Sequence, residues 1–151
     1  MDSISNKIEI IFAFDKNKVV DKELIKSRNL KVIADIEGEL IIWVNNKLFF
    51  QEQYILLLEL WIQLTKWMKN NKNGKVQDFK YETMDYSYGP ILEFIKQKNN
   101  YWKIYSVWQK TEINEIIQFN ELALTIENFL NKLKQQLYAE YKINMMDFIA
   151  Y

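Results

Sequence analysis

From Lys7 to Phe14 the run "KIEIIFAF" places Ile8, Ile10, Phe12 and Phe14 on one side of a strand, a period of two. A polar connection follows from Asp15 to Asn29. Within it, "VVDKELIKS" predicts a short helix that Asp21 can cap, with Leu24 and Ile25 following at three and four residues. "LKVIADIEG" returns to a period of two, with Leu30, Val32, Ala34 and Ile36 inward and Lys31, Asp35 and Glu37 outward, and predicts a second strand. After Gly38, "ELIIWVNNKLFF" sets two β-rich runs on either side of Asn45-Asn46, residues that tolerate the left-handed backbone of a tight hairpin turn.

Near Glu52 the period becomes helical, and a helix is expected from there to Asn70. Its stretch "YILLLELWIQLTKWM" is apolar around most of its circumference. Leu57, Leu58, Trp61, Leu64 and Met68 define the core face, with Tyr54 and Thr65 inside it and Ile55 and Ile62 along one flank. Leu56, Leu60 and Trp67 form the other flank, leaving a polar strip of about 80° made by Glu59, Gln63, Lys66 and Asn70. Either a sheet and the second helix share these surfaces, or Leu56, Leu60 and Trp67 make an exposed patch for a homodimer or another protein partner.

Past Gly74, "VQDFKYETM", "ILEFIKQ" and "YWKIYSVWQ" predict three strands, the last two forming a hairpin through "KNN", with "DYSYGP" as a loop. A second helix is expected from an N-cap at Asn120 to about Tyr141, with Leu122, Ile126, Phe129, Leu130, Leu133 and Leu137 on one stripe. The tail "INMMDFIAY" reads as a last strand or as an apolar segment that docks. The elements sum to an α+β fold in one domain over 1–151, a mainly antiparallel sheet of about six or seven strands with two long helices, order βββ(β)αβββα.

Composition narrows the functions. With 49 % hydrophobic residues, three Gly and one Pro, the chain has the material for a packed core and little of the signature of disorder. Twenty basic and twenty acidic residues cancel, and Arg28 is the single arginine, so neither nucleic acid nor an anionic membrane is an expected partner. The Lys-rich segment from Lys16 to Lys31 reads as a solvated face rather than a basic binding patch. "MDSISNKIEIIFAFDK" has no basic start and no small-residue cleavage site, and no apolar run reaches the roughly twenty residues of a bilayer span, so a cytoplasmic location is expected.

The absence of His and Cys removes the commonest general base, thiolate chemistry and a zinc site, and Gly38, Gly74 and Gly89 are too far apart to cradle a phosphate. No cofactor is expected. Carboxylates remain: Glu52 and Glu59, expected on one helix face, and Glu82 and Asp85 near Glu93, all more simply read as surface charges. Tyr138 and Lys142 match Y-x-x-x-K, but without a dinucleotide-binding βαβ unit the match carries no chemistry. "DYSYGPILEF" concentrates Asp85, Tyr86 and Tyr88 in one connection, which is either a tight loop whose tyrosines pack back on the sheet or the material of a recognition surface.

The phrases "IEGELIIWVNNKLFFQE", "LLLELWIQLTKWM", "FKYETMDYSYGPILEFI" and "NNYWKIYSVWQ" resemble a family of small uncharacterised proteins of Gram-positive bacteria, over about Leu30 to Gln109. The whole design is similar to the immunity proteins of bacterial polymorphic-toxin systems, which are small, cytosolic, α+β and without catalytic residues. That likeness implies a non-enzymatic module that neutralises a toxin domain by direct binding, through Glu82, Asp85, Tyr86, Tyr88 and Glu93. The alternative is a small-molecule-binding domain with an aromatic pocket between sheet and helices, walled by Trp43, Trp61, Trp102 and Trp108.

Overall fold

The computed structural model describes residues 4, 5 and 7–148. In chain order the elements are β1 (Ile4–Ser5), β2 (Ile8–Phe14), α1 (Lys22–Lys26), α2 (Val32–Asp35), β3 (Glu37–Val44), β4 (Lys47–Leu56), α3 (Leu57–Lys72), β5 (Phe79–Tyr81), β6 (Leu92–Lys96), β7 (Tyr101–Tyr105), β8 (Ile116–Gln118) and α4 (Phe119–Tyr141). The fold is α+β with two long helices, as the pattern predicts. Its strands divide between two sheets: β2-β3-β4, all antiparallel, and β1-β8-β7-β6-β5, antiparallel except for the parallel pair β1–β8.

The first sheet follows from local chemistry. Asn45 and Asn46 take φ of 48° and 66° and close the β3–β4 hairpin, while Ile8 is buried and Ile10, Phe12 and Phe14 are half-buried on the inner side of β2. The Asp21 carboxylate accepts from Glu23 N–H at 2.8 Å and caps α1. "LKVIADIEG" departs from the expected strand. The Asn29 side chain accepts from Lys31 N–H (2.9 Å) and its carbonyl from Val32 N–H (3.0 Å), which starts the single turn of α2; Leu30 is left exposed, and extended backbone resumes only at Ile36.

The first long helix starts later than its apolar pattern suggests. Residues 52–56 stay extended because they pair with β3, so Glu52 and Tyr54 belong to β4 and not to the helix. β4 runs into α3 with no loop between them, and the Leu57 N–H, which lacks a side-chain cap, is satisfied by the Ile36 carbonyl at 3.0 Å. Gly38 sits under this junction: a Cβ there would overlap the Ala13 carbonyl oxygen and lie 2.7 Å from Leu57 Cδ1.

The two faces of α3 are both covered. Trp61 donates its indole N–H to the Leu130 carbonyl of α4 at 2.9 Å. Trp67 donates to the Gln77 carbonyl at 2.8 Å, and its ring lies 5.4–6.3 Å from those of Phe79, Phe94, Trp102 and Phe119. Leu56, Leu60 and Trp67, expected as candidates for an exposed second interface, are 1 %, 1 % and 4 % exposed and offer no free patch. The cover on Trp67 is the second sheet, whose inner side carries Phe79, Phe94 and Trp102, while α4 takes the Trp61 side.

The stripe on α4 is buried at all six expected positions, and Phe129 meets Phe12 of β2 edge-to-face at 5.8 Å. The helix begins one residue before the expected cap, with Gln118 in the cap position and no side-chain bond there. β8, just before it, carries no turn signal of its own and exists through pairing with β7. In the tail, Ile143, Met145 and Phe148 are buried, so the segment docks on the body; its residues 149–151 lie outside the described part.

Candidate functional site

Three segments converge on one small hollow. The first is a bulge in β4: Gly38 pairs with Ile55 and Leu40 with Glu52, so that Gln53 and Tyr54 together oppose Glu39. Tyr54 sits at φ 61°, in the left-handed region that a bulky side chain seldom takes, and the residue is 67 % exposed. The bulge turns Tyr54 out of the ladder and into the rim of the hollow.

The second segment is the loop from Glu82 to Pro90, which α3 holds at its base. Glu59, expected in a solvated strip, is 7 % exposed; its carboxylate accepts from the Tyr81 hydroxyl at 2.8 Å and from Met84 N–H at 3.1 Å. One helical turn on, Gln63 donates to the Glu82 carbonyl (2.8 Å) and accepts from Glu82 N–H (3.3 Å). Burial, with the Glu59 charge second, holds the Tyr81 phenol far above the usual tyrosine range, so it remains a donor. The loop returns through Gly89, whose φ of 114° suits glycine, into Pro90.

The third segment is the turn after β7. Ser106 is buried; its hydroxyl donates to the Ile91 carbonyl and accepts from Trp108 N–H at 3.0 Å, which sets the Trp108 ring against the loop. Tyr86 stands edge-on between Trp108 (ring centroids 5.1 Å apart) and Tyr88 (5.6 Å). The hollow so formed has a volume of about 280 Å³: Ile55 and Ile91 are its buried floor, Tyr54, Tyr86 and Trp108 its walls, and Gln53, Thr83 and Asp85 its polar edge.

Of the five residues expected at a partner surface, Asp85 and Tyr86 line this hollow, and Tyr88, 86 % exposed, meets Tyr86 edge-on outside it. Glu82 borders a separate shallow depression with Gln63, Lys66 and Asn70. Glu93 lies on the outer side of the second sheet, across from Lys80 and Tyr105. Tyr54 was expected in a helix core and so was missed as a wall; its signal lies in strand pairing, which local pattern does not carry.

Other candidates separate. Glu52 is on β4 and pairs with Lys110 at 3.3 Å, far in role from the buried Glu59, so these two carboxylates do not share a helix face. Among the described residues no group of three acidic side chains is arranged to hold a metal ion. Lys18, Lys31 and Arg28 of the Lys-rich segment pair with Glu37, Asp35 and Asp147. The Lys142 ammonium lies over the Tyr138 ring, 5.2 Å from its centroid. Trp61 and Trp102, expected as walls of a pocket, are packed in the core, and Trp43 borders only a shallow hollow with Glu9 and Asn46. Two open troughs of about 470 and 480 Å³ run along α4 and share Asn131 and Gln135. Among the described residues no helix is long and apolar enough to cross a membrane.

Residues 10–139 match the family model described as a domain of unknown function (DUF7878), and the chain belongs to that family. No curated protein and no solved structure matches the chain.

Proposed function

We propose that this member of the DUF7878 family is a non-enzymatic protein-binding module whose docking surface is the aromatic site of Tyr54, Tyr86, Tyr88 and Trp108. The observation that carries this reading is a cluster of part-exposed aromatic rings on a rigid mount. Tyr88 and Tyr54 face solvent, while the segments bearing the cluster are fastened by buried Glu59, by Gln63 and by Ser106. Aromatic side chains that are held before binding lose little entropy on docking, which is why such residues anchor protein interfaces.

The hollow has about 280 Å³, at the lower limit of the roughly 300 to 1,000 Å³ of small-molecule pockets, and one inserted side chain is a sufficient occupant. Its lining holds a single carboxylate, Asp85, so no carboxylate pair stands there for acid–base work. The finer reading is an immunity protein that acts in the cytoplasm by covering a toxin domain, with Asp85 and the tyrosines in contact.

Crosslinking in the cells that make the chain tests it. Wild type should hold one partner that Tyr88→Ala releases and that Ile11→Ser, an exposed position on β2, retains. Co-expression of that partner should then arrest growth unless the wild-type chain is present. Capture that ignores Tyr88→Ala would sink the docking reading, and a harmless partner would sink the immunity reading.

A further inference from the structure

We propose that the hollow between Tyr54, Tyr86 and Trp108 seats a cationic side chain, a lysine ammonium or an arginine guanidinium, presented by the docking partner. This rests on the protein-binding reading and specifies its ligand.

Three observations point the same way. The walls are π systems, whose faces are negative and attract a cation placed over them. The edge supplies acceptors: the Asp85 carboxylate beside the Thr83 hydroxyl and the Gln53 amide. The floor of Ile55 and Ile91 is apolar, the surface along which a long basic side chain lays its methylene stem while its charge stays at the edge.

Charge complementarity favours a basic occupant. The basic residues Lys18 and Lys110 make their direct contacts elsewhere: Lys18 lies 2.9 Å from Glu37, and Lys110 lies 3.3 Å from Glu52. Asp85 makes no direct ion pair among the described residues; the Lys18 ammonium feels its charge together with those of Glu37 and Asp35, so three carboxylates outnumber the two lysines, Lys18 and Lys31, that answer them. An acidic side chain entering the hollow would meet that charge. A purely apolar one would cover the floor but leave the Asp85 carboxylate, exposed at the edge, with water alone. A basic side chain answers both the carboxylate and the rings.

The test uses the full-length chain, labelled with ¹⁵N, and capped glycine peptides with one central lysine, arginine, norleucine or glutamate. The five tryptophans give separate indole signals, so Trp108 reports on the hollow while buried Trp61 and Trp102 report on the fold. The lysine and arginine peptides are expected to move the Trp108 signal and the amides of residues 83–86, with norleucine binding at least about tenfold more weakly. Asp85→Asn should weaken the basic peptides by about two- to fivefold and leave the Trp61 and Trp102 signals in place.

Equal binding of norleucine, preference for glutamate, or no movement of Trp108 by either basic peptide overturns the assignment. If partner capture still depends on Tyr88 in that case, docking stands and only the identity of the inserted side chain is wrong. If a basic peptide seats in the hollow while capture ignores Tyr88→Ala, the docking reading alone is lost.

Discussion

Tyr54 combines a costly backbone with a position mostly in water. The left-handed region costs an L-residue about 1–2 kcal/mol, and a residue 67 % exposed recovers little of it through burial. Asparagine tolerates the same backbone through local hydrogen bonding, so Tyr54→Asn should raise the unfolding free energy by about 0.5–1 kcal/mol in urea while weakening the partner complex. A variant that is less stable than wild type would show that the ring contributes to folding and that the bulge is not held at a cost. Tyr81 makes a second prediction at this scale. Its phenol has a raised pKa in the folded chain, so above the ordinary tyrosine value, roughly pH 10, the native state binds more protons than the unfolded state. Stability from this group is therefore fully present below about pH 10 and falls as pH rises beyond it. Thermal melts from pH 8 upward should show a steeper alkaline decline for wild type than for Tyr81→Phe; parallel curves would remove Tyr81 as the cause.

At the scale of elements, the loop 82–90 depends on a helix more than on itself. Glu59→Ala would leave the Tyr81 hydroxyl and the Met84 N–H without their carboxylate, at a cost of about 2–4 kcal/mol. Limited proteolysis should then cut within residues 82–90 well before it cuts α4; an unchanged cleavage pattern would mean that Gln63 alone suffices to hold the loop. The same dependence explains what was legible beforehand. The β3–β4 turn, the α1 cap and the α4 stripe are settled by residues within a turn or two of each other, and the pattern located them. Glu59 looked solvated because its partner Tyr81 stands 22 positions away, and residues 52–56 looked helical because their pairing with β3 outweighs their period. In "LKVIADIEG", Val32, Ala34 and Ile36 alternate as in a strand, but Val32 and Ile36 also lie one helical turn apart. A single turn is too short for periodicity to separate the two, and Asn29 decided it. The loop tyrosines were readable as a recognition surface from composition; that Trp108 and Tyr54 share their hollow required the Ser106 hydrogen bonds and the bulge.

For the whole molecule, the α+β class and the long helices follow from strand and helix periods, but periods say nothing about which edges join. The strands therefore separate into two sheets that α3 and α4 fill between them, and the flank of Leu56, Leu60 and Trp67 closes against the second sheet. Because β4 becomes α3 without a break, the stretch from Gln53 to Gln63 carries a wall of the hollow at one end and the fastenings of its loop at the other. Such an arrangement makes the segment a transducer. An occupant that steadies Tyr54 and the loop also steadies the first turns of the helix, so amides from Leu57 to Gln63 should exchange with deuterium more slowly once the partner is bound, while the last turns of α4 keep their rate. Equal slowing along both helices would indicate general stabilisation instead. The unlooped joint would then let the interior of the protein register contact at its surface without any hinge.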